Sequence, residues 1–344
     1  MAEGTIRIGI IGAGDNTRVM HIPGFQAIAG VEVAGVCNRS KASSEKVAAQ
    51  FGIARVYEDW KELIAAEDID VILIGTWPYK HCEFTLAALA EEKHVLCEAR
   101  MAMNLAEARQ MVEAAAAHPE LITQIVPSPM TLRVDKTIKR LIGEGYLGTL
   151  LAVECRDGNS LVDLGGPMHW RQDVALSGLN IMSMGIWYEA MLRWVGPAKS
   201  VFAQGQVTVI TRKDGDGKTC DIKVPDHLDV VMELAGGAQG HIQISMVTGF
   251  ARSAEIFLFG SEGTLRYSED ALYGAQRGDG QLQKIAILPE DEVSWRVEEE
   301  FINAIRGKEK IRLTPFDEGL KYMAFTEAVA RSMESGQRIE VDSL

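Results

Sequence analysis

Positive charge is in short supply in this chain. Thirty-five Lys and Arg stand against 48 Asp and Glu, a formal net charge of −13 over 344 residues. No basic cluster breaks the acidic average, so a phosphate backbone is a poor partner and nucleic acid is not expected. Apolar runs of bilayer length are missing too, and no membrane partner is expected. The chain does not open on a basic segment leading into an apolar stretch and a cleavage site, and the expectation is a soluble, cytoplasmic protein. The five cysteines, Cys37, Cys82, Cys97, Cys155 and Cys220, form no Cys-x-x-Cys pair. Several lie in apolar, strand-like runs and read as reduced core thiols. No Cys/His spacing suits a metal, and none is expected.

What is present is ordinary globular material. Hydrophobic residues make up 47% and charged residues 24%, enough apolar mass for sizeable cores, and the length suggests about two domains. The organising stretch is Ile6-Arg-Ile-Gly-Ile-Ile-Gly-Ala-Gly-Asp-Asn-Thr17. Its apolar run reads as a buried parallel strand that breaks into a glycine loop. Gly12 allows the tight turn, and Gly14, lacking Cβ, lets backbone N–H groups close on a pyrophosphate. Thr17 stands where a third glycine completes the usual fingerprint.

Short apolar runs then alternate with helical patterns: Val31 to Cys37, Ile69 to Gly75, Val95 to Glu98 and Leu121 to Val126 as strands. That alternation means βαβ units and a doubly wound parallel sheet. Near Pro127-Ser-Pro129 the pattern changes. Strand-like stretches follow one another, at Leu150 to Cys155, Val201 to Ile210, Leu228 to Leu234, Gly240 to Met246, Glu255 to Phe259 and Thr264 to Tyr267, with one helix read from Leu179 to Val195. The expected fold is an α/β Rossmann domain over 1–126. An α+β domain over 127–344 follows it, carrying a large, mostly antiparallel open sheet.

With these residues in view, the chain resembles the Gfo/Idh/MocA family of NAD(P)-dependent oxidoreductases. The resemblance rests on the glycine loop with His21-Ile-Pro23, on Thr76-Trp-Pro-Tyr-Lys-His81, on Lys93-His-Val-Leu-Cys-Glu98, on Trp170-Arg171, Ser177-Gly178 and Gly185, and on Glu300-Phe301 to Gly307. It implies a Rossmann domain plus a sheet domain, with cofactor and substrate meeting between them. It also implies a sugar, cyclitol or related polyol as substrate. The departures are equally specific. Where the family has Glu-Lys-Pro this chain has Glu98-Ala99-Arg100, and where it has Asp-x-Gly-x-His this chain has Ser183-Met-Gly-Ile-Trp187. Hydride transfer needs a proton moved at the substrate oxygen, and Ala99 and Trp187 cannot move one.

On this reading the cofactor-binding residues are Gly12, Gly14, Asn16, Thr17, Arg18, Asn38, Arg39, Thr76, Trp77, His81, Glu98, Trp170 and Arg171. Several also carry plain readings: Arg18 as a surface charge, Asn38-Arg39 as a solvated loop, His81 as a cap-position residue. The second strand ends without the acid that holds the 2′-hydroxyl of NAD, and Arg39 stands near, so NADP is favoured over NAD. His169 is the first acid/base candidate, since imidazole titrates near neutrality, with Tyr188 second. Arg100 reads either as an anion site or as a partner of Glu98. Two other functions stay open: redox-neutral elimination, hydrolysis or epimerisation on retained NAD(P), and a nucleotide-binding sensor without turnover. The half-apolar open sheet leads to the expectation of a homodimer or homotetramer.

Overall fold

The apolar run Ile6–Ile11 forms β1, buried from Ile8 onward and paired in parallel on both sides. A strand covered on both faces needs no polar alternation, which is why its sequence is nearly all apolar. The computed structural model describes residues 4–251 and 254–344. After β1 comes a π-helical turn at Thr17–His21. It runs into α1 (Ile22–Gln26), β2 (Val31–Cys37), α2 (Lys41–Phe51), β3 (Arg55–Val56), α3 (Trp60–Ile64) and β4 (Val71–Ile74). Then follow α4 (His81–Ala90), β5 (His94–Cys97), α5 (Leu105–Ala117) and β6 (Thr123–Ile125).

The six strands lie in the order β3-β2-β1-β4-β5-β6, every pair parallel. The strand order reverses at β1, with β2 on one side and β4 on the other, so the loops after β1 and β4 stand at the switch point where such sheets bind ligands. Side chains such as Ile8, Ile10, Phe25 and Ile72 are fully buried, each worth about 1.5–3 kcal/mol. Ser40 caps α2 by accepting from Ser43 N, and Asn104 caps α5 by accepting from Glu107 N.

The second unit begins with α6 (Leu132–Gly143), β7 (Leu150–Asp157), α7 (Val174–Ser177) and α8 (Met184–Val195). It continues through β8 (Ala198–Gln206), β9 (Thr211–Lys213), β10 (Thr219–Asp221), β11 (His227–Leu234) and β12 (Gln239–Ser245). The next strands are β13 (Glu255–Gly260), β14 (Gly263–Ser268), β15 (Ala271–Gln276) and β16 (Gln283–Ile285). After α9 (Val297–Ile305) the chain ends with α10 (Phe316–Ser335) and β17 (Ile339–Glu340). Nine strands form one sheet in the order β16-β15-β14-β13-β7-β12-β11-β8-β17. It is antiparallel apart from β7–β12, while β9 and β10 make a separate hairpin. Alternation sets the faces: Leu228, Val230, Met232 and Leu234 of β11 are buried, and Val231 between them is 51% exposed.

Three sequence expectations need revision. The chain divides into compact units of 1–127 with 296–320, and 128–295 with 321–344, whereas 1–126 and 127–344 had no such return. The return happens because α9 buries Val297, Phe301 and Ile302 and places Glu298 against His21 of the first unit. The single helix expected from Leu179 is broken. Gly178 and Met182 take positive φ, the Asn180 amide donates to Ser177 O, and α8 starts only at Met184. The strand expected to reach Ile210 stops at Gln206, because the Asp226 carboxylate accepts from Thr208 N and Val209 N and turns the chain.

Candidate functional site

The crevice of the first unit is built from two loops that touch. Gly12 has φ +85, and a Cβ there meets Thr76 Cγ2 at 2.6 Å; a Cβ on Gly75 meets Gly12 O at 2.1 Å. Both glycines are therefore required by close packing of the β1 and β4 loops. Gly14 differs. A Cβ on it meets only Gly75 O, at the ordinary distance of 3.5 Å, so nothing inside the protein demands glycine there. Its missing side chain leaves room for an approaching ligand instead. A cavity of about 220 Å³ opens at this point, walled by Gly12, Ala13, Gly14, Asn38, Arg39, Ser43, Gly75, Thr76, Trp77 and Tyr79. Asn38 Oδ1 accepts from Ala13 N at 2.7 Å and shapes the loop. Arg39 is exposed, and no hydrogen bond or ion pair to its guanidinium occurs among the described residues.

Six of the sequence-derived cofactor residues thus come together here: Gly12, Gly14, Asn38, Arg39, Thr76 and Trp77. Others hold the scaffold. Thr17 is buried with its hydroxyl near Gly12 O, filling the space where a third glycine was expected. Arg18 pairs with Asp15. His81 is fully buried, with Nδ1 2.8 Å from Arg100 O and Nε2 2.9 Å from Thr76 O. Burial lowers its pKa against the pull of those carbonyls. It ties two loops together and presents no ring atom to a ligand.

Half-buried Glu98 and exposed Asn16 adjoin a buried His21–Glu298 pair that the local sequence does not reveal. His21 Nδ1 lies 2.5 Å from Glu298 Oε1, and its Nε2 lies 3.1 Å from Glu98 Oε1. The Asn16 amide donates to that same Glu98 oxygen at 2.5 Å. Burial by itself depresses the His21 pKa, but the hydrogen bonds and charges of Glu298 and Glu98 outweigh it and raise it to about 9. Burial likewise disfavours a charged Glu98, and its bond to His21 reverses that and holds the carboxyl below its usual range. Gly24 makes the cluster possible: a Cβ there falls 2.8 Å from the Glu298 carboxylate. Among the described residues no His/Cys/Asp/Glu group is arranged to hold a metal.

The second unit contains a larger cavity, about 530 Å³, walled among others by Asp157, Asn159, His169, Arg171, Ser183 and Arg212. His169 caps the turn at Trp170–Gln172: its Nδ1 accepts from Arg171 N at 3.2 Å, and Gln172 Oε1 accepts from its backbone N–H. With Nδ1 accepting, the neutral ring carries its proton on Nε2. Partial burial and the nearby Arg171 both lower its pKa. Trp170 supports Arg171, whose guanidinium lies 4.2 Å from the indole centroid; both residues stand in the second unit.

Two of the residues expected at the site are buried. Tyr188 is 1% exposed, stacks on Phe325 at 3.6 Å, and its hydroxyl accepts from Ala198 N at 2.8 Å. It is a core residue because α8 turns that face inward. Arg100 is 3% exposed and is not among the residues that wall either of these two cavities. Asp157 is the residue the sequence reading passed over. It receives Ser183 Oγ–H at 2.5 Å and Trp187 Nε1–H at 2.7 Å.

A glycine loop at the switch point of a six-stranded parallel sheet, followed by an α+β unit whose cavity carries a few polar side chains, defines a two-domain dinucleotide-binding protein. Residues 6–124 match the model of the oxidoreductase family with an NAD-binding Rossmann fold, and residues 136–266 match the GFO/IDH/MocA C-terminal domain. The chain belongs to the GFO/IDH/MocA family of oxidoreductases. It is similar to the inositol 2-dehydrogenase of Burkholderia lata, 24% identical over 340 residues, covering 96% of this chain and 95% of that one. It is also similar to the trans-1,2-dihydrobenzene-1,2-diol dehydrogenase of Oryctolagus cuniculus, 25% identical over 225 residues, 65% of this chain and 64% of that one. Among solved structures, levoglucosan dehydrogenase in complex with NADH and L-sorbose shares the fold. The TM-score is 0.86 at 20% identity, over 98% of each chain.

Proposed function

We propose that the chain is a nicotinamide-dependent dehydrogenase of cyclitols or related polyols, with the dinucleotide at Gly12–Gly14 and the polyol in the cavity of the second unit. The observation that carries the first half is the open Cβ position of Gly14 beside a cavity. Backbone N–H groups can close on a pyrophosphate only where no side chain intervenes. The residues of that crevice fit such a group. The lack of an acid at Asn38-Arg39 and an Arg39 guanidinium unengaged among the described residues support acceptance of NADP as well as NAD.

The second half rests on the cavity wall. Asp157, Asn159, His169, Arg171 and Gln172 supply acceptors and donors enough for several neighbouring hydroxyls, which suits a ring polyol of the kind the inositol 2-dehydrogenase relatives act on. When bound, an oxidised nicotinamide removes a hydrogen with its electron pair from an alcohol carbon. The chain supplies the rest: orientation of that alcohol and management of its proton. His169, neutral and protonated on Nε2, serves as a hydrogen-bond donor to a substrate oxygen. The half-exposed pair Phe202 and Val231, cross-strand neighbours on the open sheet face, supports a homodimer or homotetramer packed through that face.

The test is turnover. Purified protein is given NAD or NADP with myo-inositol, levoglucosan and a panel of hexoses, and reduced nicotinamide is followed by absorbance. Growth of that band with at least one polyol is expected. Dinucleotide binding without conversion of any polyol makes the protein a sensor. Sugar conversion without net reduction makes it a redox-neutral enzyme.

A further inference from the structure

Among the described residues no lysine walls the polyol cavity, and the helix that borders it offers Ser183 and Trp187, one helical turn apart, in place of acid/base groups. Both side chains do the same thing. Ser183 Oγ and Trp187 Nε1 donate to one oxygen, Oδ2 of Asp157, at 2.5 and 2.7 Å. Two donors from a single helix face fix the plane of that carboxylate. Its other oxygen, Oδ1, makes no hydrogen bond among the described residues. Asp157 lines the cavity as the last residue of β7. The strand end is held in place from behind: a Cβ on Gly158 falls 2.2 Å from Ser245 O, so the chain passes there only as glycine.

From this geometry we infer that Asp157 is the acid/base group of this protein, with Ser183 and Trp187 as its positioning residues. The inference rests on the dehydrogenase reading and adds the residue that completes it. The other titratable or charged groups around the cavity are Asp163, His169, Arg171 and Arg212. None of the last three can take a proton from an alcohol. His169 uses Nδ1 to accept from Arg171 N and carries its proton on Nε2, while the two arginines are already protonated. Arg212 is moreover bonded to Gly166 O and Asp163 O. Asp163 spends Oδ1 on the N–H groups of Gly165 and Gly166 in an exposed turn. Asp163 also leaves Oδ2 without a hydrogen bond among the described residues, but it is exposed, whereas Asp157 is half-buried and held by two side chains of the helix that borders the cavity.

The step balances as follows in the oxidising direction. The substrate O–H bond breaks and its proton bonds to Asp157 Oδ1, giving a carboxylic acid. The electron pair left on the alcohol oxygen becomes the second bond of the new carbonyl. The carbon-bound hydrogen and its bonding pair would go to an oxidised nicotinamide, the oxidant that a bound dinucleotide would supply. The carboxylic acid then returns its proton to solvent through the cavity mouth. In the reducing direction the same acid protonates the carbonyl oxygen. Ser183 and Trp187 hold the carboxylate in place through Oδ2.

The experiment compares the full chain with Asp157→Asn, which keeps an acceptor for Ser183 and Trp187 but cannot take up the proton. With a polyol that the parent turns over, Asp157→Asn is expected to lose about 10²–10⁴ in kcat while NADH affinity, measured by calorimetry, stays the same. Ser183→Ala is expected to lower kcat with KM little changed, because one of the two donors that hold the carboxylate is lost. A readout without turnover is indole fluorescence with no nucleotide present. The difference between the parent and Trp187→Phe is expected to show an inflection on acidification that Asp157→Asn lacks. A kcat loss below about tenfold, a larger loss in Asp163→Asn, or an unchanged fluorescence titration overturns the assignment and leaves the dehydrogenase reading standing. A parent that binds NADH but converts no polyol overturns that reading and the assignment with it.

Discussion

The His21 cluster makes a prediction that depends on neither cofactor nor substrate. Glu298 and Glu98 raise the buried His21 from 6.5 to about 9. A group whose pKa rises on folding adds stability that is fully present below its unfolded pKa and is lost as pH climbs through its folded one. Each pH unit between the two values is worth about 1.4 kcal/mol, so the cluster contributes about 3 kcal/mol below pH 6.5 and little above pH 9. Glu298→Gln removes one of the two carboxylates and lets the His21 pKa fall back. Urea denaturation of parent and variant across this range gives the comparison, and an NMR titration of the His21 ring gives the pKa directly. The parent is expected to exceed the variant by a margin that is widest below pH 6.5 and closes as pH rises through 9. Parallel pH profiles for the two proteins would mean that His21 is not held as a cation, and the reasoning fails.

Two further outcomes follow from the surfaces. Arg39→Ala is expected to weaken NADP by about 1.5–3 kcal/mol more than NAD, the worth of a charge-assisted bond to a 2′-phosphate; equal losses in calorimetry refute the pairing. Light scattering at micromolar concentration is expected to report a dimer or tetramer, and Phe202→Asp on the open sheet face to shift it toward monomer. A monomeric parent refutes assembly through that face.

The first unit was legible because its signals are local. An all-apolar strand followed by Gly12 and Gly14 encodes both a buried parallel β1 and the turn that frees its end. Strands of two or three residues, such as β3, β16 and β17, carry too short a pattern to be read. The return of 296–320 was illegible for a different reason. An amphipathic α9 announces that one face will be buried, but says nothing about which unit covers it. Glu298 therefore reaches His21 across 277 positions without any sequence signal. The site residues divide the same way. Gly14 declares its use through its chemistry alone. Tyr188 looked available because helix phase is uncertain by a residue or two, and the actual phase puts it on Phe325. Asp157 looked like a charge at a strand end, and Ser183 and Trp187 looked like losses. Only the fold shows that they converge on one carboxylate oxygen.

The central claim is that the loop at Gly12–Gly14 holds a nicotinamide dinucleotide, and one titration tests it most directly. NADH is added to the parent and to Gly14→Val in a calorimeter, with thermal unfolding recorded for both. Because a Cβ at Gly14 meets nothing closer than Gly75 O at 3.5 Å, the variant is expected to keep the parent's unfolding temperature. The parent is expected to bind NADH at one site per chain, and the variant to give no binding heat. Equal NADH affinity in the two proteins, or no binding by the parent, would contradict the account.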